Sequence, residues 1–141
     1  MEPPGLERFV AAQDRDGTYA RTLSELRAGR KQTHWMWFVF PQISGLGHSQ
    51  MAYLYAISGA PEAQRYLEHR ILGPRLLEST QAVLDWSSRK SAAAIFGTID
   101  AMKFRSSMTL FEAVGPDQLC FAEALDSFYD GQRDPATLAN L

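Results

Sequence analysis

The sequence predicts an all-α fold, a single multihelical globular domain of about seven to nine helices. Three observations carry this reading. Apolar residues recur at i, i+3, i+4 and i+7 along most of the chain. Residues that start and stop helices bracket those stripes. No stretch alternates apolar and polar residues between hairpin turns. The 141 residues suit one domain, 1–141, with 1–4 expected to be flexible.

The elements follow in order. Leu6, Phe9, Val10 and Gln13 share one helical face, after Pro3-Pro4 and before the break at 14–17. Tyr19, Leu23 and Leu26 mark a second helix, and Gly29 suits the left-handed position after its end. Residues 35–40 form either a short buried helix or an extended segment, because Pro41 follows and no partner strand is apparent. Ser49 suits the cap of a helix carrying Met51, Leu54 and Tyr55, with Ile57 as its furthest candidate. Ser58 caps the next, with Pro61 early and Glu62 where the helix end is positive. Pro74 opens a helix holding Leu76, Leu77, Thr80, Val83 and Leu84. Ser91 caps a short helix at 92–96, and Thr98 caps a long one reaching about Val114. Asp117 starts a helix at 119–129 that Gly131 stops, and Asp134-Pro135 begins a last turn.

Charge and composition exclude several function classes. Sixteen acids against fourteen bases give a net charge of −2, without the basic excess a nucleic-acid binder carries. The single cysteine, Cys120, excludes an internal disulfide and sits in an apolar setting. His34, His48 and His69 lack metal-ligand spacing, so no metal is expected. No cofactor is expected either. The start of the chain lacks a secretory pattern, and the longest apolar run, 35–40, is too short to span a bilayer. The expectation is a soluble, cytoplasmic protein without a membrane partner; its oligomeric state is not legible.

Four constellations carry candidate chemistry. The first is the block 31–42, which concentrates four of the sixteen aromatics (8 Phe, 5 Tyr, 3 Trp) into six positions. Core packing accounts for Met36, Phe38, Val39 and Phe40. Two tryptophans beside a histidine fit a pocket wall as well, since an indole face stacks on a flat ring. Lys31, His34, Trp35, Trp37 and Gln42 are the candidates there.

The second constellation is the loop 43–50, where Gly45, Gly47, His48 and Ser49 precede a helix and offer backbone N–H groups to an anion; a plain connector is the competing reading. The third is 103–111, where Lys103, Arg105, Ser106 and Ser107 pair cations with hydroxyls on one helix. Close helix packing explains the small residues equally well. In the fourth, 126–134, Asp130 reads first as a helix end and Asp134 as an N-cap. The acid/base candidates are His34, His48, Asp130 and Asp134.

At these residues the chain resembles a known family. The block Arg30-Lys31-x-x-His34-Trp35-Met36-Trp37-Phe38-x-Phe40-Pro41-Gln42 is joined by Gly45-Leu46-Gly47-His48-Ser49 and Ser106-Ser107-Met108-Thr109-Leu110-Phe111. Together they look like a bacterial domain-of-unknown-function family, over nearly the whole chain. Its small helical fold is what the resemblance implies. Members are sometimes labelled calpastatin, a disordered inhibitor; the aromatic-rich, moderately charged composition argues against that name. The chain is also similar, more remotely, to the NAD- and ADP-ribose-associated superfamily. That similarity implies a ligand with an adenine ring, sugar hydroxyls and two phosphates.

Three functions compete at this stage. One is binding or processing of an anionic small molecule derived from ADP-ribose or a nucleotide. Any chemistry would then be hydrolysis of an ADP-ribosyl N-glycosidic linkage, with His34 and Asp130 as catalytic candidates. Another is a non-enzymatic protein-interaction module, with an indole exposed on a flat patch. The third, nucleic-acid recognition, is disfavoured by charge. Convergence of His34, Trp35, Gln42, Lys103 and Ser107 on one concavity would separate the first from the second.

Overall fold

The computed structural model describes residues 5–141, so the expected flexibility of 1–4 lies outside the described residues. The fold is all-α. Among the described residues, seven helices of six residues or more run in the order α1 (Glu7–Asp14), α2 (Thr18–Arg27), α5 (Ala60–Glu68), α6 (Leu72–Leu84), α8 (Thr98–Val114), α9 (Leu119–Tyr129) and α10 (Pro135–Asn140). Three single turns intervene: α3 (Met36–Val39), α4 (Gln50–Leu54) and α7 (Ala92–Phe96). Among the described residues the only β pairing is one parallel bridge, Ile43 to Ile57.

Local chemistry explains most ends. Ser49 and Ser91 accept from the Ala52 and Ala94 N–H groups at 3.1 Å each, as their cap roles predict. Gly29 takes φ 74°, and a Cβ there would meet the Trp86 ring at 2.8 Å, so the position demands glycine. Three starts differ from expectation. Gly59, Gly97 and Gln118 hold the cap positions of α5, α8 and α9, and Thr98 is already helical. Helix α6 begins at Leu72, two residues before Pro74, because proline is tolerated within a first turn. Asp134 caps α10 with Pro135 first, as the sequence indicates.

Helix α8 is the axle. It packs against α5, α7, α9 and α10, and its Ala101, Phe104, Met108 and Phe111 are buried. The turn α3 drives the aromatic block into this core. The Phe40 and Phe104 rings lie 4.9 Å apart edge to face, and Phe96 stacks on Phe104 at 4.9 Å. The 43/57 bridge then holds the chain leaving α3, since Ile57 N–H donates to Gln42 O at 2.9 Å. It leaves Gln42 half-buried and lining a surface groove.

Candidate functional site

The candidate functional surface is a groove of about 580 Å³, within the range of small-molecule sites. Trp37 and Gln42 from the aromatic block form one wall. Lys103, Ser106, Met102 and Ile99 from α8 line it beside them. The loop residues Gly47, His48 and Ser49 also line it, as do Asp134 and Ala136. A second concavity, of about 420 Å³, adjoins it and is lined by Lys31, His34, Trp37, Gly97, Ile99 and Asp100 among others. Trp37 and Ile99 belong to both, so they form the partition.

Charge gathers at that partition. Lys103 Nζ stands 4.6 Å from the centre of the Trp37 ring, a cation–π geometry. The same ammonium is 3.3 Å from Asp100 Oδ1, while Lys31 Nζ is 2.9 Å from Asp100 Oδ2. One carboxylate therefore serves two lysines. Lys31 is also anchored through its backbone, whose N–H donates to Ile95 O at 2.8 Å.

The structure brings together Trp37, Gln42, His48, Ser49, Lys103 and Ser106, with Lys31 and His34 across the partition. It does not bring Trp35, Arg105, Ser107 or Asp130 to either concavity. Trp35 is 0 % exposed, and its indole N–H donates to Glu25 Oε1 at 3.0 Å. It cannot stack on a ligand, and its N–H is satisfied inside the core. Ser107 is also 0 % exposed, and its hydroxyl has no hydrogen-bond partner. It lies on the core side of α8, so the expected Lys103–Ser107 pair does not face one cavity. Asp130 is exposed at the end of α9 in a left-handed conformation, φ 53°, a helix-stop geometry.

The hydroxyl-rich stretch of α8 has a use the sequence did not reveal. Arg105 donates to Gln132 O at 2.8 Å and to Arg133 O at 2.7 Å. Thr109 Oγ1 accepts from Asp134 N–H at 3.0 Å, and Ser106 Oγ donates to Asp134 Oδ2 at 2.7 Å. These residues dock the chain between α9 and α10 onto α8. The docking carries Asp134 into the groove. Burial works against the Asp134 carboxylate, but bonds from Thr137, Ser106 and nearby backbone N–H groups prevail and hold it below the ordinary carboxylate range. It is an anion at neutral pH.

The loop 43–50 spends much of its chemistry on itself. Ser49 Oγ serves the α4 cap, and a Cβ on Gly47 would meet Ala52 Cβ at 2.8 Å. Among the described residues, no group of three or more His, Cys, Asp or Glu side chains is placed to hold a metal ion. No described helix is long and apolar enough to cross a membrane.

A family model described as protein of unknown function DUF1810 matches residues 3–141. The chain belongs to the DUF1810 family. A crystal structure of the conserved hypothetical protein Rv1873 from Mycobacterium tuberculosis is similar to it at 47% identity, with a TM-score of 0.93. The similarity covers 99% of this chain and 98% of that one. Among curated proteins no relative matches. The DUF1810 match shows the family, and the similarity to the solved structure supports the fold. The calpastatin label and the link to ADP-ribose chemistry rest on the sequence resemblance alone.

Residues that sequence reasoning missed are Ile99, Met102, Asp100 and Ala136. Ile99 and Met102 carried a signal. They are apolar, yet out of register with the buried Ala101–Phe104–Met108 stripe, and they are 72% and 67% exposed. Asp100 carried none, because an acid in the first turn of a helix has an ordinary explanation.

Proposed function

We propose that the groove of this DUF1810 protein binds an anionic small molecule derived from a nucleotide, with ADP-ribose as the concrete candidate. The observation that carries the reading is the Trp37–Lys103 pair: a half-buried indole and an ammonium 4.6 Å from its centre, side by side on a concave surface. A planar base suits the indole, and a phosphate suits the ammonium. Gln42, His48, Ser49 and Ser106 offer polar groups to sugar hydroxyls. The adjoining concavity, with Lys31 and His34, gives room for the second half of a two-part ligand.

Cleavage of an N-glycosidic ADP-ribosyl bond would place His48 as the acid/base group of the groove and ionised Asp134 beside the cationic sugar that develops. His34 would act only on a group reaching the second concavity. Asp130, outside both, has no part in this reading.

Thermal unfolding with added ADP-ribose, NAD or AMP tests it. Ligand at 100 times its dissociation constant stabilises a fold by about 2.7 kcal/mol. A shift with ADP-ribose that Trp37→Ala abolishes supports the reading, and no shift at millimolar ligand overturns it. The protein-interaction alternative draws on one observation, the exposed Ile99 and Met102 at the rim. It gains if ADP-ribose fails and those two residues prove necessary for capture of a partner.

A further inference from the structure

Two lysines share one carboxylate at the partition between the concavities. Lys31 has only 8% of its side chain exposed, Lys103 25% and Asp100 20%. Two cations and one anion leave a local charge of about +1 once paired, in a place partly withdrawn from water. Each ammonium also lies near an indole: Lys31 Nζ is 5.2 Å from the centre of Trp35, and Lys103 Nζ 4.6 Å from Trp37. The indoles and Asp100 fix where the two ammoniums stand. Asp100 is itself fixed, in the first turn of α8 and between both cations.

An arrangement in which a fixed carboxylate bridges two fixed ammoniums has the geometry of an anion site filled from within. We propose that Asp100 is the resident counter-ion of a phosphate or pyrophosphate subsite formed by Lys31 and Lys103. An incoming polyanion competes with Asp100 for the lysines, and the carboxylate sets the affinity threshold. Weak monoanions do not displace it; a polyanion spanning both lysines does. The proposal deepens the nucleotide reading, on which it rests for the identity of the natural ligand, and it assigns Asp100 a role in selecting for polyanionic charge.

The decisive experiment is calorimetric titration of the full chain with inorganic pyrophosphate and, separately, with ADP-ribose. Wild type is compared with Asp100→Asn, Asp100→Glu and the double variant Asp100→Asn, Lys103→Ala. Removing one negative charge a few ångströms from the bound anion should tighten pyrophosphate about fivefold to tenfold in Asp100→Asn. Asp100→Glu, which keeps the charge, should stay near wild type, and the gain should vanish in the double variant. Equal or weaker pyrophosphate binding by a folded Asp100→Asn overturns the proposal.

The two readings fail separately. Trp37-dependent ADP-ribose binding that is the same in wild type and Asp100→Asn sinks the counter-ion role and leaves the nucleotide reading standing. A pyrophosphate gain in Asp100→Asn without ADP-ribose binding in either protein does the reverse. Circular dichroism monitors folding. If Asp100→Asn does not fold, Asp100→Ser takes its place, and failure of both shows that the carboxylate is a structural strut and overturns the proposal.

Discussion

Trp35 and Trp37 are two positions apart in one aromatic block, yet they do opposite work. Trp35 ends in a polar knot beneath the loop that leads into α3. Glu25 accepts there from the Gln32 N–H at 2.6 Å, the Thr33 N–H at 2.9 Å, the Thr33 hydroxyl at 2.6 Å and the Trp35 indole at 3.0 Å. Trp37 looks outward, half-buried, with Lys103 against its ring. One indole is held by a buried carboxylate; the other is left with its surface on a groove. The difference teaches that a buried tryptophan is identified by where its N–H ends, and that a neighbour in sequence need not share its fate.

Substitutions break this comparison in a definite order. Trp35→Ala removes a wholly buried ring and leaves a cavity, and should cost about 4 kcal/mol in urea unfolding. Glu25→Ala orphans several donors at once and should cost about 3 kcal/mol, with Glu25→Gln recovering part of it. Trp37→Ala should cost only about 1 kcal/mol in the same measurement. It should nevertheless abolish ADP-ribose binding, which Trp35→Phe, if folded, should leave in place. A Trp37→Ala loss of stability as large as that of Trp35→Ala would erase the distinction between the two rings.

Acid sharpens the comparison from the other side. Burial opposes ionisation of Glu25, yet the bonds from Thr33, Gln32 and Trp35 hold its carboxyl below the ordinary value of 4.5. Its unfolded form therefore takes up protons first. Its contribution to stability is fully present above pH 4.5 and is lost as pH falls through the lower, folded value. Asp134 behaves likewise against its ordinary 3.8. Unfolding free energy followed from pH 7 to pH 3 should fall in acid, less steeply in Glu25→Gln. An equal slope in the two proteins would show that the knot does not hold the charge. The smallest effect belongs to Ser107→Ala. Its buried hydroxyl has no hydrogen-bond partner, so the change should stay within about 0.5 kcal/mol of neutral, or stabilise. A large loss would mean that Ser107 has a partner in solution.

Much of the helix framework was legible in sequence, because periodicity and caps are local. Ser49, Ser91, Gly29 and Asp134 each hold the terminal position their chemistry suits. The candidate site was legible in part. Trp37, Gln42, His48, Ser49, Lys103 and Ser106 do line one groove, from segments some sixty residues apart. Trp35 and Ser107 were misplaced because facing is not a local property. Spacing shows that Lys103 and Ser107 share a side of α8, but not that the core covers Ser107 while Lys103 and Ser106 line the groove.

The sequence by itself determined an all-α chain, the order of its helices, several of their caps, and an aromatic block bound for the core. Those follow from hydrogen bonds and side-chain spacing within a few residues. Only the tertiary structure decided which indole meets solvent, why α8 carries Arg105, Ser106 and Thr109, and how Asp134 reaches the groove and Asp100 the concavity beside it. Each depends on a partner far along the chain. Glu25 takes up the Trp35 N–H, the 132–134 segment docks on α8, and Lys31 meets Asp100. The physical reason is that a polar group's role is set by whichever partner satisfies it once water is excluded, and packing chooses that partner.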